Sequence, residues 1–229
     1  MNHNSIIDYT LLDNSATENE IIALCEKAIA LKVKTVCVMP QHVKIAKNHL
    51  LNSSVLVCSV VSFPEGTNSI IDKVDEMKLL LRDGADEIDV VWNYHKISDL
   101  AYLSDELKAL VMCKNEHVSV KGTLPVLKII VESGLLTLEQ TKKATELCIE
   151  NEVDFIKTST GKVTIGAERS KVEVMRQTIG AHPLKIKASG GIRTLVQLNE
   201  FLSFVDRFGI GFASVDEMNG IESKNANSY

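Results

Sequence analysis

Short β-branched runs alternate with longer amphipathic stretches from one end of the chain to the other. Eight apolar runs bounded by polar or turn residues read as strands: IIDYTLL (6–12), KTVCVM (34–39), VLVCSVV (55–61), DEIDVV (86–91), PVLKIIVE (125–132), VDFIKTS (153–159), PLKIKAS (183–189) and RFGIGFA (207–213). Between them, residues 17–32, 68–83, 98–116, 137–151, 167–180 and 194–205 repeat their apolar positions at helical spacing. Ser15-Ala16-Thr17-Glu18 supplies a cap-like start to the first helix. Asp83-Gly84 and Ser133-Gly134 mark ends of elements.

Eight strands, each followed by a helix or a loop, fit the size of an α/β fold closed as a single-domain (β/α)8 TIM barrel. A doubly wound open sheet is disfavoured, because no GxGxxG fingerprint follows residues 6–12. Nothing resembling a linker interrupts residues 1–229, and 215–229 reads as a flexible C-terminal tail.

Four strands carry an ionisable residue where an apolar one would pack better: Asp89, Lys128, Lys157 and Lys187. Strand side chains alternate faces with period two, so Phe155, Lys157 and Ser159 share one face, as do Lys185, Lys187 and Ser189. In a barrel one face meets the helices and the other points inward. A charge against packed helices is costly, so all four are expected inside, where charges can pair. The bland alternative is a lysine that snorkels from a strand end to solvent, which explains one lysine better than three. A lysine amine attacks carbonyls only when neutral, and burial beside a second cation favours the neutral form. Lys157 is the candidate nucleophile, Lys187 the neighbouring cation and Asp89 the proton shuttle.

The three strand ends that would form one side of the mouth are rich in small residues: Ser159-Thr160-Gly161-Lys162, Ser189-Gly190-Gly191-Ile192-Arg193, and Gly209-Ile210-Gly211 running on to Ser214. Glycines let backbone N–H groups close on an anion, and barrels commonly bind phosphate after strands 7 and 8. Turns also need glycine, so the signal lies in the three loops together.

Composition narrows the partners. The formal net charge is −5, which argues against nucleic acid, where a basic face is expected. No apolar run approaches the roughly 20 residues of a membrane span, and MNHNSIIDYT lacks the basic and apolar regions of a secretory signal. Five cysteines, odd in number and without CxxC spacing, suggest neither a disulfide framework nor a zinc site, so a cytoplasmic location is expected. The six histidines form no HxH or HExxH pattern, and no metal or cofactor is implied.

The segments Phe-Ile-Lys-Thr-Ser-Thr-Gly-Lys (155–162), Gly-Ala-Asp-Glu-Ile-Asp-Val-Val (84–91) and Lys-Ala-Ser-Gly-Gly-Ile-Arg-Thr (187–194) resemble the signatures of deoxyribose-phosphate aldolases. Asp8-Tyr9-Thr10-Leu11-Leu12, Cys37-Val38-Met39-Pro40, Ser62-Phe63-Pro64 and Leu127-Lys128-Ile129-Ile130 follow the same order. The resemblance implies cleavage of 2-deoxy-D-ribose 5-phosphate to acetaldehyde and D-glyceraldehyde 3-phosphate through a lysine Schiff base. It assigns that base to Lys157, its perturbing partner to Lys187 and the proton relay to Asp89. It also gives Thr10, Cys37 and Lys128 to the sugar site, and Gly161, Lys162, Gly190, Gly191, Gly211 and Ser214 to the phosphate site. One branch of the family ends in a tyrosine that reaches the active site, which assigns proton transfer to Tyr229; a frayed, idle terminus is the alternative. The family suits a homodimer acting on small sugar phosphates and aldehydes.

Two positions depart from the pattern. Many relatives have Gly-x-Ser-Ser after strand 8, where this chain has Gly211-Phe212-Ala213-Ser214; the familiar Tyr-Pro after strand 2 is Met39-Pro40. Both touch substrate choice. A related aldolase for another or an unphosphorylated aldehyde, or a silent sugar-phosphate-binding barrel, are the rival readings.

Overall fold

The computed structural model describes residues 3–117 and 122–221. Eight parallel strands close into a barrel in sequence order. They are β1 (Ile7–Leu11), β2 (Thr35–Val38), β3 (Leu56–Val61), β4 (Glu87–Val91), β5 (Val126–Ile130), β6 (Phe155–Lys157), β7 (Lys185–Ser189) and β8 (Arg207–Gly211). Pairing of β1 with β8, Asp8 beside Gly209 and Thr10 beside Gly211, completes the ring.

The helices among the described residues are α1 (Glu18–Leu31), α2 (Val43–Leu50), α3 (Ile70–Asp83), α4 (Leu100–Glu116), α5 (Leu138–Glu150), α6 (Arg169–Ile179), α7 (Leu195–Phe201) and α8 (Phe212–Met218). Several begin where polar side chains satisfy the first free N–H groups. Thr17 with Glu20, Thr137 with Gln140 and Thr194 with Gln197 each form a reciprocal capping box. Gly84 ends α3 in the left-handed conformation.

Two helices were not expected from the sequence. The eight-residue α2 packs Val43, Ala46 and Leu50, but its lysines and histidine hide so short a pattern. The other, α8, starts directly from β8 with no loop, so the strand read as 207–213 stops at Gly211. Residues 215–218, read as the start of a tail, therefore lie in a helix, with Val215 and Asp216 buried. Asp216 explains the anchorage: its carboxylate accepts from the Tyr9 hydroxyl on β1 and from Lys27 Nζ at 2.5 Å. Residues 219–221 follow the helix, and 222–229 lie outside the described residues.

The strand faces divide as period two requires. Tyr9, Val36, Val57, Ile88, Ile129, Ile156, Ile186 and Phe208 belong to the apolar layer between sheet and helices. Inside the barrel, Leu12, Cys37, Cys58 and Val60 form a separate apolar cluster on the β1–β3 side. The β4–β8 side is charged. Where barrels of this type ordinarily stack branched apolar side chains, this one buries Glu87, Asp89, Lys128, Lys157, Lys187 and Arg207. Its helical shell bears the hydrophobic stabilisation and leaves the interior for chemistry.

Candidate active site

The charged interior is built from the bottom of the barrel upward. Arg207 Nη1 lies 2.6 Å from Asp8 Oδ1 and 3.2 Å from Glu87 Oε2, with its guanidinium 5.4 Å from the Phe155 ring centroid. Above it, Lys128 Nζ donates to Glu87 Oε2 at 2.6 Å and Asp89 Oδ1 at 2.8 Å. Lys187 Nζ reaches Asp8 Oδ2 at 2.5 Å and Asp89 Oδ2 at 2.7 Å. Lys157 Nζ also lies 2.7 Å from Asp89 Oδ2. All three expected lysines thus converge on one carboxylate. Asp8, Glu87 and Asp89 balance Lys128, Lys187 and Arg207, three against three, and Lys157 is the surplus amine.

Burial and pairing compete at each group. Burial alone would raise the Asp89 carboxyl, but the charges of Lys128, Lys157 and Lys187 outweigh it and hold it well below the usual range. Asp8 is likewise held low, burial being overcome by Lys187, Arg207 and Lys128. Burial would deprotonate Lys187, yet Asp8 and Asp89 keep its affinity for the proton above that of a free lysine. Lys128 behaves the same way against Asp89, Cys58 and Glu87. Both lysines are therefore fixed cations.

Gly209 makes room for this arrangement. A Cβ there would stand 2.9 Å from Lys187 Cε and 3.1 Å from Ser189 Cβ, so an inward position on β8 is glycine because the Lys187 stem crosses it.

A cleft opens above the charges at the C-terminal ends of the strands. Thr10 and Leu12 line it from β1, Lys157, Thr160 and Gly161 from β6 and its loop, Ser189 to Arg193 from β7, and Gly209, Gly211 and Ser214 from β8 and α8. Lys157 is 3% exposed, so its amine forms part of the cleft's floor. Gly190 and Gly191 adopt φ of +84° and +81°, backbone that side-chain-bearing residues rarely take. The β6 and β7 loops also touch backbone to backbone: a Cβ on Gly166 would lie 2.2 Å from the Gly190 oxygen.

The structure brings together Thr10, Lys157, Gly161, Gly190, Gly191, Gly211 and Ser214 around the cleft. Lys162 follows Gly161 in the same loop, its N–H donating to Thr160 Oγ1 at 3.1 Å. Two residues expected at the sugar site are not among the side chains that line this cleft. Cys37 and Lys128 are fully buried and lie among the groups beneath the cleft, Lys128 spending its donors on Glu87, Asp89 and Cys58. Tyr229 lies outside the described residues. Sequence reasoning missed Glu87, Arg207 and Cys58, and placed Asp8 only through the family's order. The signal was available: Glu87 stands two residues from Asp89, hence on the same inward face.

Cys37, Cys58 and Asp89, and separately Asp8, Cys58 and Glu87, hold potential ligand atoms within 4.8 Å of one another. In both groups the carboxylates already neutralise lysine or arginine side chains. The ammonium groups stand where a metal cation would have to bind.

An amine, a shared carboxylate and a fixed cation below a glycine-lined cleft suit carbonyl chemistry on an anionic substrate. The chain matches the model of the DeoC/LacD family aldolases over residues 6–213 and belongs to that family. It is 41% identical over 206 residues to the deoxyribose-phosphate aldolase of Mycoplasmoides pirum, covering 88% of this chain and 90% of the relative. The deoxyribose-phosphate aldolase of Metamycoplasma hominis is 42% identical over 87% of this chain and 88% of its own. Among solved structures, an aldolase called QR15 superposes with a TM-score of 0.83 at 35% identity, over 92% of each chain. The tetrameric deoxyribose phosphate aldolase of Aeropyrum pernix gives 0.84 at 26% identity, over 95% of this chain and 89% of that one.

Proposed function

We propose that this chain reversibly cleaves 2-deoxy-D-ribose 5-phosphate to acetaldehyde and D-glyceraldehyde 3-phosphate through a Schiff base on Lys157. The observation that carries the reading is a nearly buried amine on the cleft floor, hydrogen-bonded to a carboxylate that a second lysine shares. The charges of the other buried groups cancel without Lys157, so the cluster has no need of it as a counter-ion.

Neutral Lys157 adds to the C1 aldehyde of the open-chain sugar. Loss of the carbinolamine hydroxyl as water leaves a protonated imine, an electron sink that takes over the polarising role of a Lewis acid. The C3 hydroxyl gives up its proton, the C2–C3 electron pair moves into the imine, and glyceraldehyde phosphate departs. Protonation of the resulting enamine at C2, followed by hydrolysis, returns the amine and releases acetaldehyde. Asp89, within hydrogen-bonding distance of both Lys157 and Lys187, is the relay for these protons. Gly161, Lys162, Gly190, Gly191, Gly211 and Ser214 hold the phosphate, with Thr10 beside the sugar.

A homodimer is part of the proposal; the Aeropyrum pernix relative is named as a tetramer, so light scattering has to distinguish the two states. Five buried free cysteines support a reducing cytoplasm as the site of action.

The direct test is borohydride reduction in the presence of acetaldehyde. An ethyl adduct on Lys157, absent in Lys157→Arg, is the expected result, because a guanidinium stays protonated and forms no imine. No adduct on folded wild-type protein would favour a silent sugar-phosphate binder.

A further inference from the structure

Glu132 is a buried carboxylate that the reaction as described does not use. It lies two residues beyond β5, at a φ of +52°, which non-glycine residues keep only where their surroundings enforce it. Its side chain is fully buried. Oε2 accepts from both donors of Thr160, the N–H at 3.1 Å and the hydroxyl at 2.6 Å, and Thr160 Oγ1 accepts in turn from the Lys162 N–H at 3.1 Å. The other oxygen, Oε1, has no hydrogen-bond partner among the described residues. On either side of Glu132, the Val131 N–H donates to the Lys157 carbonyl at 3.0 Å and the Ser133 N–H to the Thr158 carbonyl at 2.7 Å.

The end of β5 thus grips the segment that leaves β6. That segment carries Lys157 at one end and Gly161 at the other, and Thr160 lines the cleft between them. We propose that Glu132 is a positioning residue that joins the two halves of the substrate site. By holding Thr160 through both N–H and O–H, it presents the Lys157 amine and the phosphate-facing backbone of Gly161 and Lys162 in one fixed relation. The proposal rests on the roles given above to Lys157 and Gly161.

The chemistry at the carboxyl shows what the grip requires. Burial pushes the Glu132 carboxyl up, against the opposing pull of the Thr160 donors, the charge of Lys157 and, least, the Ser159 hydroxyl. A single oxygen, Oε2, accepts from both Thr160 donors, so a neutral group with one carbonyl oxygen can hold Thr160 as well. Glutamine meets that description and leucine does not.

The experiment compares Glu132→Gln, Glu132→Leu and Thr160→Val on 2-deoxyribose 5-phosphate and on unphosphorylated 2-deoxyribose. In Glu132→Leu the ratio of kcat/KM between the two substrates falls by about tenfold or more, because the phosphate loses its fixed relation to the amine. Glu132→Gln restores that ratio to within about threefold of wild type, since the acceptor is retained. Thr160→Val lowers the ratio alone and adds little to Glu132→Leu. An unchanged ratio in Glu132→Leu, or a Glu132→Gln variant as impaired as the leucine one, overturns the proposal. If Glu132→Leu does not fold, Thr160→Val decides: an undiminished ratio there refutes the grip. Borohydride trapping runs alongside. Absence of a wild-type adduct sinks the aldolase reading itself, whereas an intact adduct with an unchanged ratio sinks only the role of Glu132.

Discussion

Lys157 and Lys187, on adjacent strands, reach the same carboxylate oxygen, each amine nitrogen lying 2.7 Å from Asp89 Oδ2. The two amines communicate through that shared acceptor. Asp8 and Asp89 keep Lys187 charged, so the electrostatic benefit of Asp89 is divided between the pair. Removing the Lys187 charge takes a fixed cation away from beside the Lys157 amine and leaves Asp89 one partner fewer. Lys187→Leu is expected to shift the acid limb of the kcat/KM profile to higher pH and to lower kcat. A profile of unchanged position would separate the two lysines functionally.

Asp89 is the hub for three lysines, and neutralising it unbalances a buried site. Asp89→Asn leaves Asp8 and Glu87 facing Lys128, Lys157, Lys187 and Arg207. Losing one partner of a buried charge network typically costs about 3–5 kcal/mol, and losing a proton relay about 10²–10⁴ in rate. Urea unfolding and steady-state kinetics read these separately. Adding Lys128→Met to Asp89→Asn should recover part of the stability, because the charge excess shrinks, but none of the activity. Recovery of activity in the double variant would mean that Asp89 acts only as a counter-ion.

The barrel was legible because its strands are short and β-branched and its outer helices long enough to show their period. All eight strands lie within the segments read from the pattern, and α1 and α3–α6 fall within a residue or two of theirs, whereas α7, read as 194–205, ends four residues early at Phe201. What escaped notice was short or abutting: α2 spans only two turns, and α8 continues from β8 without punctuation. At the site, an ionisable residue inside an apolar strand pointed to Asp89, Lys128, Lys157 and Lys187. Arg207 stands at the first residue of its strand, where a charge looks like a solvated end, and only closure of the barrel brings it to Asp8 and Glu87. Cys37 and Lys128 show the opposite limit. An inward face is visible in sequence, but depth along the barrel axis is not, and both side chains lie below the cleft.

Depth also governs the effect of pH on folding. Asp8 and Asp89 titrate below the range of a free aspartate in the folded protein, so the unfolded chain binds more protons as the pH falls below about 4. Their contribution is fully present above that range and is lost progressively on acidification. Lys128 and Lys187 titrate higher than a free lysine, so their contribution is present below about pH 10 and fades above it. Glu106 and Glu132, raised by burial, act in the opposite sense and blunt the acid limb. Urea midpoints should hold broadly between these limits and fall steeply outside them. A stability that stayed level from about pH 5 to about pH 2 would contradict the pairing of Asp8 and Asp89.

Gly209 offers a test of geometry without a change of charge. An alanine methyl would sit 2.9 Å from Lys187 Cε, inside any normal contact, with Ser189 Cβ closing the other side. The lysine stem is fully buried and held by Asp8 and Asp89, so it cannot step aside freely. Gly209→Ala should cost about 1–3 kcal/mol in stability, as overpacked sites do, and should lower kcat with a shift of the pH profile in the direction expected for Lys187→Leu. Normal kinetics in a merely destabilised variant would show that the exact seat of the Lys187 ammonium is unimportant.

The departure after β8 makes a final, opposed pair of predictions. Ser214 lines the cleft whereas Ala213, its neighbour in the first turn of α8, is absent from the lining. A hydroxyl bonded to a phosphate contributes roughly 1.5–3 kcal/mol, as hydrogen bonds to charged groups do. Ser214→Ala should therefore raise KM for the phosphorylated substrate by about tenfold or more, with little effect on unphosphorylated deoxyribose. Ala213→Ser, which restores the Gly-x-Ser-Ser pattern, adds its hydroxyl at a position outside the cleft's lining and should leave KM within about twofold of wild type. Were Ala213→Ser instead to tighten binding markedly, the phosphate would have to sit nearer the start of α8 than the cleft's lining implies, and the missing serine would be a real loss of affinity.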